Sequence, residues 1–233
     1  MSLFSFKPKM KILFVATEAA PFIKAGGLGE VMFSLPRSLV KLGYDARVMV
    51  PRYAGIDPQQ FKLEMEMEGL QVPTDAENES EPQYLTCNVR KYTPGELPRS
   101  PVTTYFLENM EYYEQRANVY GYADDAVRWA LLCRGTLEFL RASRDWTPDV
   151  IVASDWQTGF LSNYSKTIYK EDRWLSKIAT VFAIHNLYYQ GMYDHRFVSE
   201  LDYDDGRSPV GSFFNPRLLK LNGMRRGILY ADL

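Results

Sequence analysis

Three short segments of the 233-residue chain carry residue types that can do chemistry together. The first is Lys24-Ala25-Gly26-Gly27-Leu28-Gly29. Glycines let backbone N–H groups approach an anion closely, and a helix starting there adds a partial positive charge. Lys24 adds a full charge, so the segment suits a diphosphate. It matches neither G-x-G-x-x-G nor the P-loop pattern. The second is Ser154-Asp155-Trp156-Gln157-Thr158-Gly159. Asp155 can accept hydrogen bonds from sugar hydroxyls, and Trp156 can offer an apolar face to a sugar ring. The third is His185-Asn186-Leu187-Tyr188-Tyr189-Gln190-Gly191, where a His-Asn pair supplies donors and acceptors. Each segment also has a plainer reading. A glycine-rich turn serves chain reversal as well as ligand approach. Asp155 suits the cap of a following helix, with Trp156 in the core. His185 also reads as a satisfied structural residue, and His195, in a polar run, as an exposed one.

These segments can meet only if neighbouring strands deliver them. Residues 11–16 (Lys-Ile-Leu-Phe-Val-Ala) form a short apolar run suited to a strand buried on both faces of a parallel sheet. Val31, Leu35, Leu39 and Leu42 then recur at helical spacing, and Gly43 ends the run. Pro36 inside that pattern predicts a kink or a shortened first turn. Residues 46–51 read as the next strand, completing a βαβ unit. The polar, Glu-rich stretch 57–82, with Pro73 and Pro82, reads as a surface excursion. Residues 84–92 and 102–108 read as strands, joined in a hairpin around Pro94-Gly95. A helix is expected over 124–142, with Val127, Leu131, Leu137 and Leu140 on one side. A strand over 150–153, a helix over 157–170, a buried strand over 177–184 and a helix over 218–233 complete the series. The fold class this predicts is α/β: a Rossmann-like, doubly wound, mostly parallel sheet. In such sheets ligands bind beyond the carboxyl ends of the strands, where residues 17–30, 154–159 and 185–191 would lie.

Composition narrows the function further. Lys plus Arg is 27 against 29 Asp plus Glu, a net charge of −2. That balance argues against nucleic acid or an anionic membrane as the main partner. No apolar run reaches the ~18 residues of a membrane-spanning helix. Cys87 and Cys133 are too few for a disulfide framework and read as small buried hydrophobes. Two histidines without suitably spaced carboxylates or cysteines predict no metal site, and nothing calls for a cofactor. No G-x-S-x-G elbow is present. Asp202-Tyr203-Asp204 has the look of a metal-binding D-x-D but falls in the polar stretch 201–209, which reads as a solvated turn. Residues 1–10 read as a tail without signal-peptide character, and residues 11–233 as one domain. A cytoplasmic protein is the expectation. The halt at Asp232-Leu233, without tail or linker, reads as a truncation.

The order of these motifs resembles the N-terminal domain of the bacterial and plant glycogen/starch synthase family. The anchors are Thr17-Glu18-Ala19-Ala20-Pro21, the Lys24 to Gly29 segment and Pro51-Arg52-Tyr53. Arg116 with Tyr120, Asp125 and Arg128, the Ser154 and His185 segments, and Gly227-Ile228-Leu229-Tyr230-Ala231-Asp232 complete the match. The resemblance implies one half of a two-domain GT-B glycosyltransferase, with the C-terminal nucleotide-binding domain absent. Its partners would be ADP-glucose or UDP-glucose as donor and an α-1,4-glucan as acceptor, with retention and without a metal. Lys24 would reach the donor diphosphate, with Gly26 and Gly27 giving backbone contacts. His185 would touch the transferred glucose, and Glu18, Asp155 and Asn186 would line the acceptor side. The resemblance also implies that the isolated chain is inactive or nearly so. Four positions depart from the family's usual residues: Glu30 for Asp, Ser154 for His or Asn, Gln157 for His, and Tyr188 for a small residue. A non-catalytic glucan-binding or regulatory module, or a related retaining transferase with another acceptor, are the alternative readings.

Overall fold

The computed structural model describes residues 9–95, 100–191, 204 and 206–233. A single seven-stranded sheet runs through the described residues in the order β3-β4-β5-β2-β1-β6-β7. The strands are β1 (Lys11–Val15), β2 (Asp45–Pro51), β3 (Glu64–Pro73), β4 (Tyr84–Tyr92), β5 (Thr104–Glu108), β6 (Val150–Ser154) and β7 (Ala179–Ala183). The run β5-β2-β1-β6-β7 is parallel throughout, whereas β4 pairs antiparallel with both β3 and β5. Chain order reverses at β1, with β2 on one side and β6 on the other. That is the topological switch point of a doubly wound sheet. The carboxyl ends of β1, β6 and β7 therefore face one crevice.

The helices follow from local sequence. Helix α1 (Gly27–Lys41) runs through Pro36, so the expected shortening does not occur. Gly43 ends it as anticipated, at φ 95°, a conformation that glycine adopts without steric cost. Helix α2 (Asp125–Ala142) departs from the one-sided pattern. Fifteen of its eighteen residues are buried, so it runs through the core instead of lying on the surface. Its buried charges are paired: Arg128 with Asp125 at 2.5 Å, and Glu138 with Arg141 at 2.6 Å. The stretch expected as one helix over 157–170 is a 3-10 turn (Trp156–Thr158) followed by α3 (Gly159–Lys166). The Thr167 hydroxyl donates back to the Asn163 carbonyl at 2.7 Å where α3 stops, a local bond that competes with helix propagation. The final helix is also split, into a 3-10 turn (Pro216–Lys220) and α4 (Gly223–Tyr230). Asn222 starts α4 by accepting from the Arg225 N–H at 2.9 Å, and capping there divides the apolar run.

Three further expectations need correction. The Glu-rich stretch 57–82 contains the ten-residue strand β3, at the edge of the sheet. Glu64, Glu66 and Glu68 alternate with Met65, Met67 and Gly69. Charge on an edge strand protects it from pairing with another chain. Strand β7 begins at Ala179, not 177, and only Thr180 on it is buried. It is the other edge strand of the described sheet. The chain end runs beside it, with the Asp232 N–H donating to the Thr180 carbonyl and the Phe182 N–H to the Leu233 carbonyl, both at 2.8 Å. Both cysteines are buried, as anticipated. Asp204 is not solvated: it is nearly fully buried and paired with Arg226 at 2.8 Å. Asp202, Tyr203 and His195 lie outside the described residues.

A candidate active site at the switch point

The site starts where β1 ends. Thr17 and Glu18 leave the strand fully buried. The Glu18 carboxylate turns back into the glycine-rich turn, where its Oε2 accepts from the Ala25 and Gly26 N–H groups, the latter at 2.8 Å. Its Oε1 accepts from the Tyr120 hydroxyl at 3.1 Å. A Cβ on Gly29 would sit 3.1 Å from Glu18 Oε2 and 3.2 Å from Lys24 Cγ, so glycine lets the turn close over the carboxylate. The Gly26 N–H is thus committed within the protein. No side chain caps the start of α1, and the first-turn N–H groups of a helix have no intrahelical acceptor. A Cβ on Gly27 would meet nothing within 4 Å. The backbone N–H groups this turn leaves uncapped are therefore those at the start of α1, Gly27 and Leu28.

Lys24 stands at the rim. Its ammonium pairs with Glu30 at 2.7 Å, with both side chains about half exposed. Such an exposed pair is worth only ~0–1 kcal/mol, so an arriving anion can compete for the ammonium.

Tyr120 reaches the site from the segment before α2. Arg128, fully buried, holds that segment by donating from Nε to the Tyr112 carbonyl and from Nη1 to the Val119 carbonyl, each at 2.9 Å. Asp125 accepts from the Gly121 N–H at 2.9 Å. The Tyr120 and Thr17 hydroxyls lie 2.7 Å apart. Burial pushes the Tyr120 phenol well above its ordinary range, so it remains a proton donor to Glu18 at neutral pH.

Asp155 follows β6 directly. The helix-cap reading does not hold, because its side chain makes no cap bond. Instead Oδ1 accepts from the His185 N–H at 2.7 Å and the Asn186 N–H at 3.1 Å. The carboxylate ties the segment leaving β7 to the end of β6. Asp155 holds φ 61° and ψ 176°, a region populated almost only by glycine. The His185 side chain is exposed, while its backbone N–H is the group that holds the segment to Asp155. The Asn186 Oδ1 accepts from the Tyr188 N–H at 2.9 Å, closing an Asx turn. Gly191 then has φ 82°, and a Cβ there would lie 2.4 Å from Trp156 Cε3. Glycine is required twice over, for the backbone and for the approach to the indole.

These elements enclose a cavity of about 670 Å³. Glu18, Gly26, Gly27, Asp155, His185 and Asn186 all line it, whereas Lys24 does not. Tyr120, Asp125, Trp156, Gln157 and Tyr189 line it as well. Of these, Tyr120 and Asp125 carried a family signal without a role, and nothing in the sequence marked Tyr189 as a wall. A smaller group of polar atoms beside the site has no partner: Ser154 Oγ and Gln157 Oε1 are buried without a hydrogen bond. Among the described residues, no three His, Cys, Asp or Glu groups converge as metal ligands. No helix among them is long and apolar enough to cross a membrane.

A mostly parallel sheet with a cleft at its switch point defines a Rossmann-like, doubly wound domain. The comparison with solved structures agrees. The catalytic domain of starch synthase IV from Arabidopsis thaliana, bound to ADP and acarbose, superposes with a TM-score of 0.75 at 22% identity. It covers 97% of this chain, and this chain covers 44% of it. The family model of the starch synthase catalytic domain matches residues 11–233, and the chain belongs to that family. Glycogen synthase from Clostridium acetobutylicum is 36% identical over 229 residues, 96% of this chain and 44% of the relative. Glycogen synthase from Geobacillus stearothermophilus is 39% identical over 198 residues, 85% of this chain and 38% of the relative. The chain thus spans less than half the length of these relatives.

Proposed function

We propose that this chain is the acceptor-side half of a glucan synthase. The whole enzyme would transfer glucose from ADP-glucose or UDP-glucose to the non-reducing end of an α-1,4-glucan, with retention. The observation that carries the reading is the convergence of the Glu18-held turn, Asp155 and the His185-Asn186 pair on one cavity, in a chain of this family. The donor's diphosphate would meet the start of α1, where first-turn N–H groups and the helix dipole favour negative charge. Lys24, released from Glu30, would add a full charge as the nucleoside diphosphate departs. His185 would contact the transferred glucose. Glu18 and Asp155 act mainly as positioning residues, because their carboxylates are occupied by backbone N–H groups. Asn186 shapes the acceptor side through its turn. Catalysis of this kind rests on alignment and on preorganised stabilisation of developing charge. We place the protein in the cytoplasm, where two unpaired buried cysteines stay reduced. A second domain carrying most of the nucleotide site would complete the cleft.

The test is glucose transfer to maltooligosaccharide by the complete two-domain enzyme. His185→Ala and Lys24→Ala are each expected to lower the rate by about a hundredfold or more, the usual loss for a preorganised charge-stabilising group. Near-normal rates in both variants would overturn the assignment. Measurable transfer by residues 1–233 alone would overturn the half-site reading.

A further inference from the structure

The segment following β7 carries a row of exposed apolar side chains: Leu187 at 67%, Tyr188 at 86% and Tyr189 at 61%. Tyr189 lines the cavity, and the Tyr188 ring meets it edge-on, centroids 5.1 Å apart at 88°. This segment is held at both ends. Asn186 accepts from the Tyr188 N–H, the Gln190 carbonyl accepts from the Met224 N–H at 3.2 Å, and Gly191 packs on Trp156. A tyrosine with most of its ring in water forgoes the gain of burying a large aromatic surface. Here the backbone fixes it in that position beside the mouth of the cavity.

We propose that Tyr188 is a binding residue for the extended glucan, a stacking platform just outside the cavity for sugar units away from the reacting end. The proposal rests on the glucan reading of the cleft. The cavity is of the size that takes one small ligand, ~300–1,000 Å³, so a polymer must leave over its rim. Tyr188 and Tyr189 form the aromatic part of that rim. A pyranose ring has an apolar C–H face, which suits the face of a tyrosine ring. The pairing with Tyr189 continues the cavity wall outward, so one chain can contact both. This residue would favour long acceptors over short ones without touching the transferred glucose.

The experiment uses the purified chain and titrates maltoheptaose and maltose separately by NMR or calorimetry. Tyr188→Ala is expected to weaken maltoheptaose binding by about three- to tenfold, the scale of one aromatic contact. Maltose affinity should stay within about twofold, below the scale of such a contact. Tyr188→Phe keeps the ring and should bind both saccharides as the parent does. Unchanged maltoheptaose affinity in Tyr188→Ala would overturn the proposal. Equal losses for both saccharides would also overturn it, because Tyr188 would then act on the cavity itself. If the parent chain binds neither saccharide, the glucan reading fails, and this proposal with it.

Discussion

Asp155→Ala is expected to cost about 3 kcal/mol or more of stability and to weaken saccharide binding about tenfold. The carboxylate accepts two backbone N–H groups, and a hydrogen bond to a charged group contributes ~1.5–3 kcal/mol. Alanine removes both bonds, while the ~1–3 kcal/mol strain of a side chain in a glycine-like backbone conformation is already carried by the parent and stays. Thermal midpoint should fall by about 6–12 °C for a chain of this size. Asp155→Gly separates the two effects. Glycine relieves the backbone while losing the same two bonds, so its midpoint should lie above that of the alanine variant. Its saccharide affinity should be as poor. Differential scanning calorimetry and titration measure both. An alanine variant that melts and binds like the parent would show that Asp155 does not hold the His185 segment.

Gly159→Ala is expected to be the most damaging small substitution in the molecule. A Cβ at Gly159 would lie 1.9 Å from the Gly223 carbonyl oxygen and 3.2 Å from the Gly227 nitrogen. The reverse contact is as close, because a Cβ at Gly223 would lie 2.2 Å from the Trp156 carbonyl oxygen. Backbone meets backbone here, so no side chain can rotate away. The start of α3 and α4 must separate, at a cost of about 3 kcal/mol or more. That corresponds to a midpoint lowered by about 6–12 °C. The damage should reach the site, because the α4 N-terminus holds the Gln190 carbonyl through the Met224 N–H. Gly55→Ala is the control, since a Cβ there meets nothing within 4 Å. If Gly159→Ala and Gly55→Ala melt alike, the close packing of α3 on α4 is wrong.

Much of this arrangement is written locally in the chain. The parallel strands β1, β2 and β6 are short apolar runs ended by turn residues, and buried parallel strands have that pattern. Strand β3 was hidden because its alternation sets glutamate against methionine and glycine, which reads as polar surface in composition. Its partner β4, not its own apolar content, makes it a strand. The helix over 157–170 and the helix over 218–233 were overextended for the same reason. Periodicity continues across the breaks, whereas Thr167 and Asn222 act through side-chain hydrogen bonds that periodicity does not register. At the site, residue types pointed to three segments that the fold brings to one cavity. They could not show that the Glu18 and Asp155 carboxylates face inward onto backbone N–H groups, because those bonds join residues 7 and 8, or 30 and 31, positions apart. Nor could they show Lys24 outside the cavity lining and Tyr120 within it, which depend on how α1 and the segment before α2 pack.

The central claim is that this chain holds the acceptor side of a divided glucan-synthase cleft. The most direct test titrates maltoheptaose and ADP-glucose separately into the purified 233-residue chain by calorimetry. Saccharide binding that weakens about tenfold in Asp155→Ala, with weak or no nucleotide binding, is the expected result. Tight ADP-glucose binding without saccharide binding would contradict it, and would make the cleft a nucleotide site of another function.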